Sequence, residues 1–131
     1  MRVVITEQPD YDLTLLMDRF TECGDYTKGV ILDELEYWRK NTDFLVLLSS
    51  TDGVIDGFLL GYRSRNSLWI AQVWRQAGKD LSASREAMDV AKVWAKERGM
   101  TSISGETDRK QMKAMERYGF KEESINMKVT L

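Results

Sequence analysis

Between residues 44 and 106 the hydropathy pattern changes period twice, and that change limits the folds open to the chain. Phe44-Leu45-Val46-Leu47-Leu48 is an unbroken apolar run of strand length, which predicts a strand covered on both faces. Asp52-Gly53 is a hairpin turn signal. Residues 54–62 supply the return strand, thinned by Gly57 and Gly61, and Asn66-Ser67 reads as a second turn before a strand over 68–75. Three consecutive antiparallel strands follow from this. The period then lengthens: Ala87, Met88, Ala91, Trp94 and Ala95 fall on one helix face, and Gly99 sits where a glycine ends a helix. Residues 101–106 form the next strand. Because a helix crossover precedes it, it should pair parallel with an earlier strand.

The flanks extend the pattern. Val3, Val4 and Ile5 make a β-branched first strand, which Pro9-Asp10 ends. Leu13, Leu16, Met17 and Phe20 recur at helix spacing, with Asp10 or Asp12 as the N-cap. Gly24 and Gly29 bracket a loop, and Ile31, Leu35 and Trp38 make a second, shorter helical stripe. After residue 106, Asp108 caps a helix carrying Met112 and Met115, which Gly119 ends. Ile125, Met127, Val129 and Leu131 then alternate with Asn126, Lys128 and Thr130, leaving room for one long strand or a tight pair. The order is β-α-α-β-β-β-α-β-α-β, a single α/β domain over residues 1–131 built on a mixed sheet.

Composition narrows the function classes. The 131 residues suit one domain, and 43% hydrophobic with 31% charged residues can build a core without disulfides or metal. A net charge of -2, with both signs mixed along the chain, argues against a broad basic face for nucleic acid. There is no histidine, which removes His-based triads and most zinc sites, so no metal centre is expected. The single cysteine, Cys23, cannot close an internal disulfide and suits a reducing cytoplasm. No secretory pattern follows Met1-Arg2, and the apolar run 44–48 is far too short to span a bilayer. The expectation is a cytoplasmic domain with no membrane or nucleic-acid partner.

The helix ending in Arg98-Gly99, the strand behind it and the helix ending in Tyr118-Gly119-Phe120 resemble the C-terminal half of the GNAT superfamily, the acetyl-CoA-dependent N-acetyltransferases. The element order matches over the whole chain, the residue detail over its C-terminal half. The resemblance implies that acetyl-CoA lies in a V-shaped gap between the fourth strand and the parallel strand beside it. Its pyrophosphate would rest on amides at the start of the intervening helix. The family signature is Arg or Gln, two residues, Gly, one residue, then Gly or Ala. It falls on Lys79-Asp80-Leu81-Ser82-Ala83-Ser84. Lys79 stands for the Arg, and Ser82 and Ser84 for the two glycines. Serine can cap a helix and donate its hydroxyl to phosphate, whereas Asp80 puts negative charge where pyrophosphate would sit. Arg75, Lys79 and Arg85 are the side chains around this loop suited to phosphate. The backbone of Val73, Trp74 and Arg75 would pair with the pantetheine arm.

Carried over in the same way, the family's general-acid tyrosine falls on Met115, which has no proton to give. Tyr118 lies about a turn further on and reads as a packing residue, and Asp108 replaces the asparagine that usually starts this helix. Glu106, at the end of the parallel strand, is the candidate general base acting through water; the alternative is a solvated strand-end carboxylate. Trp38 and Trp94 fall on helix stripes and read as core. Trp69 and Trp74 fall on opposite faces of one strand, which would leave one open for binding. Cys23 has no sequence neighbour that would activate it. Asp33, Glu34 and Glu36 give an acidic face that suits a cationic acceptor.

Two functions follow. One is an N-acetyltransferase that transfers acetyl directly from acetyl-CoA to a small-molecule or peptide amine. The other is a catalytically inactive GNAT-fold module, similar to some tailed-phage virion and morphogenesis proteins, which would place it in a virion. Val73-Trp74-Arg75 followed by Ala77-Gly78-Lys79, the serine-substituted loop and Met115 all fit the second. Extended strands of this fold can also pair across a homodimer or with an assembly partner.

Overall fold

Strand alternation decides the layering. In β2 (Phe44–Thr51) Phe44, Val46 and Leu48 turn to one face of a sheet while Leu45 and Leu47 turn to the other, and all five are buried. A strand with no wet face needs cover on both sides. The computed structural model describes residues 3–19, 25–75, 81–106, 121–123 and 126–131, with side chains for 4–19, 28–74, 85–105 and 129–131.

The other elements are β1 (Val3–Glu7), a 3-10 helix (Leu13–Arg19), α1 (Asp25–Asn41), β3 (Val54–Ser64) and β4 (Ser67–Arg75). They are followed by α2 (Leu81–Glu97), β5 (Ser102–Glu106), β6 (Lys121–Glu123) and β7 (Asn126–Thr130). One mixed sheet runs β1-β2-β3-β4-β5-β7-β6. Among the described residues only the β4–β5 pair is parallel, as the helix crossover between them demands. α2 covers one face through Met88, Ala91, Trp94 and Ala95, packed on Leu45, Leu47, Leu59 and Ile103. The 3-10 helix and α1 cover the other through Leu13, Leu16 and Leu35, packed on Val46, Phe58 and Leu60. No helix among the described residues is long and apolar enough to cross a membrane.

The end of α2 follows from one glycine. Gly99 has φ +75°, the left-handed region that costs a side-chain-bearing residue energy. Its N–H donates to the Lys96 carbonyl at 3.1 Å, and the Met100 N–H reaches back to the Ala95 carbonyl at 3.0 Å. These two bonds are the Schellman closure, and buried Met100 supplies its apolar contact. Trp94 completes this corner: its Nε1 donates to Glu7 Oε1 at 3.1 Å, and the Arg98 guanidinium lies 4.1 Å from its ring centre.

Several local expectations change. The first helix is 3-10, with Leu13 and Leu16 fully buried three residues apart, a spacing that serves a three-residue period as well as 3.6. Asp12 caps it, accepting from the Thr14 N–H at 3.0 Å and the Thr14 hydroxyl at 2.6 Å, which holds its carboxyl below the usual range. Gly29 lies inside α1, not in a loop, so α1 is longer than the stripe implied. A helix-interior glycine costs about 0.5–1 kcal/mol, less than the roughly 1.5–3 kcal/mol gained by burying one Leu such as Leu35. Arg39 ties α1 to the chain entering the 3-10 helix, donating to the Tyr11 carbonyl at 2.7 Å and the Pro9 carbonyl at 3.0 Å. The β3–β4 turn is Arg65-Asn66, one residue earlier than read, with Arg65 at φ +57°. Ser67 joins β4 by pairing with Ser64 and Ser102, and its hydroxyl also bonds that of Ser104 at 2.8 Å. The C-terminal segment is a tight antiparallel pair, β6 with β7. The helix expected after Asp108 lies outside the described residues.

Candidate functional site

The site begins where β4 loses its regularity. Leu60 pairs with Gln72 and Gly61 with Ile70, so Ala71 is an extra residue on β4, a β-bulge. Gly61 sits opposite it, and a Cβ there would stand 2.8 Å from the Trp69 carbonyl oxygen. Only a residue without a side chain lets the two strands approach this closely.

The bulge has two consequences. First, it reverses the side-chain alternation of β4. Trp69 pairs with Tyr62 and Trp74 with Phe58, and all four belong to the α1-side core. The expectation that Trp69 and Trp74 face opposite ways is therefore corrected: one inserted residue puts both on the same face. Trp74 stacks near Phe58 with ring centres 6.0 Å apart, and the Arg19 guanidinium lies 5.1 Å from its ring centre. Second, a bulge bends its strand, and β4 leaves β5 at this point. Pairing runs from Ser67↔Ser102 to Ile70↔Gly105 and stops. Residues 71–75 of β4 have no partner on β5, while Glu106 of β5 pairs away, with Asn126 of β7. The result is a wedge.

On the α2 side of the wedge, Val73 pairs with Leu59 and is 57% exposed. α2 starts at Leu81, so Ser82, Ala83 and Ser84 lie in its first turn. The first four N–H groups of a helix lack helical acceptors, and the dipole makes them attractive to an anion. That turn carries no acidic residue. Arg85 follows it and is exposed. Lys79, Asp80, Asp108, Met115, Tyr118 and Cys23 lie outside the described residues, as do the side chains of Arg75, Ser82, Ala83, Ser84 and Glu106.

On the α1 side, a cleft of about 310 Å3 is lined by Glu34 and Leu35 of α1 and by Tyr62, Trp69, Ala71 and Gln72 of the sheet. Trp38 stacks flat on Tyr62, with ring centres 4.7 Å apart and planes 8° apart, which fixes the phenol. Burial pushes the Tyr62 hydroxyl above its ordinary pKa, and the negative charge of Glu34 adds to the shift. Sequence reasoning flagged Glu34 and Trp69 but missed Tyr62 and Gln72. Gln72 reaches this face only because Ala71 is inserted before it. A second, more open depression of about 350 Å3, between α2 and Glu7, lies away from the bulge.

The architecture has close counterparts. A putative acetyltransferase of the GNAT family from Desulfovibrio desulfuricans is similar at a TM-score of 0.76 and 14% identity, covering 98% of this chain and 99% of that one.

The chain has the GNAT fold.

PaiA N-acetyltransferase from Thermoplasma acidophilum, solved in complex with coenzyme A, matches at a TM-score of 0.72 and 16% identity over all of both chains. A Bacillus subtilis acetyltransferase, also in complex with CoA, matches at 0.73 and 14% over 99% of each. No family model and no curated protein matches the sequence. The likeness is therefore one of backbone geometry at low sequence identity.

The residues present fit acetyl-CoA at the level of the backbone. The β4 edge over residues 71–75 offers main-chain groups that β5 leaves unpaired, Val73 is exposed, and the first turn of α2 offers amides with no acceptor inside the helix. None of these depends on the signature glycines that the sequence lacks.

Proposed function

We propose that the protein is an acetyl-CoA-dependent N-acetyltransferase that transfers acetyl directly to an amine. The parting of β4 from β5 after Ile70 and Gly105, at the Ala71 bulge, carries this reading. Bound acetyl-CoA supplies the activated acyl group. Main-chain groups of Val73, Trp74 and Arg75 align its arm. The first-turn amides at Ser82, Ala83 and Ser84, with the cations Arg75, Lys79 and Arg85, receive its phosphates.

As the amine forms its bond to the acyl carbon, the C–S bond breaks, coenzyme A leaves as thiolate and the nitrogen sheds a proton. Glu106 is assigned the relay of that proton through water. Met115 cannot protonate the thiolate, so solvent does, and turnover is slow. Slow is not absent. Holding the two reactants together is worth roughly 7–11 kcal/mol, whereas general acid–base help is worth a factor of roughly 10²–10⁴. The single cysteine, Cys23, suits a reducing compartment such as the cytoplasm.

Release of free thiol from acetyl-CoA, measured across a panel of amines, tests the reading. Amine-dependent release above the buffer rate is the expected result. If acetyl-CoA neither binds nor turns over, the non-catalytic GNAT-fold module is the function that remains.

A further inference from the structure

The α1-side cleft has a chemistry of its own. At about 310 Å3 it lies near the lower limit of small-molecule sites, roughly 300–1,000 Å3, so it suits a compact ligand. Its walls include the aliphatic side chains of Ile31 and Leu35 and the rings of Tyr62 and Trp69. Three polar side chains line it as well: the Glu34 carboxylate, the Gln72 amide and the Tyr62 hydroxyl. Among the described residues none of the three has a hydrogen-bond or ion-pair partner. Among the described residues no lysine or arginine lines the cleft.

One carboxylate beside two aromatic residues favours a cation, since the carboxylate and the electron-rich rings both attract positive charge. A single carboxylate matches a single ammonium; a polyamine would carry further ammonium groups with no second carboxylate among the described lining residues to meet them. Glu34 would also repel a ligand that carries its own carboxylate.

We infer that this cleft binds a compact primary monoamine without a carboxylate, an alkyl- or arylalkyl-ammonium, as the acceptor. Its head meets Glu34 and Gln72, and its carbon body lies along Tyr62 and Trp69. The word acceptor rests on the transferase reading; the monoamine site does not.

The test is calorimetric titration of the whole chain with phenethylamine, with and without coenzyme A, alongside phenylalanine and spermidine. Phenethylamine is expected to bind at least tenfold more tightly than either comparison ligand. Glu34→Gln is expected to weaken it tenfold or more without moving the melting midpoint, because Glu34 is exposed. An unchanged affinity in Glu34→Gln, tighter binding of spermidine or phenylalanine, or no phenethylamine binding under either condition overturns the inference. Coenzyme A binding without any monoamine site would leave the transferase reading standing and this one fallen. Glu34-dependent amine binding with no acetyl transfer would do the reverse.

Discussion

Ile70 and Gly105 are the last residues that β4 and β5 pair, and a Cβ on Gly105 would stand 3.4 Å from both the Cβ and the carbonyl oxygen of Ile70. The strands are therefore in close contact at the apex of the wedge and separate one residue later. Intimate packing at the apex fixes the position of the gap, and the Ala71 bulge opens it.

A wedge that takes acetyl-CoA ties ligand binding to stability. At a hundredfold excess over its dissociation constant a ligand adds about 2.7 kcal/mol, a rise of several degrees in melting midpoint for a domain of this size. Differential scanning fluorimetry reads this directly. No rise at millimolar acetyl-CoA removes the transferase reading.

Met115 occupies the position that the GNAT resemblance gives to a proton donor. Met115→Tyr is expected to raise kcat by about tenfold or more, within the range that a positioned acid supplies. Steady-state thiol release measures it. An unchanged kcat would mean that water or another group already fills the role.

Gly61→Ala forces a methyl group to 2.8 Å from the Trp69 carbonyl oxygen, and a backbone atom cannot swing aside as a side chain can. Overpacking of this kind costs about 1–3 kcal/mol. The urea midpoint should fall with the slope unchanged. An unaltered midpoint would show that β3 and β4 can separate without loss.

Gly29 has open space where a Cβ would sit and lies inside α1. Gly29→Ala is therefore expected to stabilise the protein by about 0.5–1 kcal/mol, largely by reducing the freedom of the unfolded chain. Thermal melts check the sign, and a lower midpoint would place residue 29 outside the helix.

Tyr62 makes stability depend on alkaline pH. Burial, then the Glu34 charge, raises its pKa above 10.0, so the folded state holds the proton more tightly than the unfolded one. The associated stability is fully present below pH 10 and is lost as pH rises through the raised value. Tyr62→Phe should flatten this alkaline decline in urea titrations at successive pH values. An identical slope in both proteins would assign the decline to other groups.

Much of the scaffold was readable from local pattern. The apolar run at 44–48, the Asp52-Gly53 turn with φ of +52° and +80°, and Gly99 at the end of α2 each act through neighbouring residues alone. The α2 stripe and the parallel β5 follow from a change of period and from the crossover rule. The 3-10 form of the first helix was not readable, because Leu13 and Leu16 satisfy either helical period and packing chooses between them. Nor was the continuation of α1 through Gly29, which burial along the helix overrides.

The candidate site divides in the same way. Glu34 and Trp69 could be flagged as residue types, and the backbone role proposed for residues 73–75 comes from the family resemblance alone. That Tyr62 and Gln72 join them could not be foreseen, since their meeting depends on where Ala71 is inserted in the β3–β4 register.

The order of strands and helices from β1 to β5, the two-sided burial of β2 and the closure of α2 were determined by the sequence itself, because periodicity, turn chemistry and a glycine at φ +75° act over a few residues. The wedge and the cleft beside it were decided only in the tertiary structure. A bulge is a mismatch between two paired strands, and nothing in either strand alone says which residue will be left over.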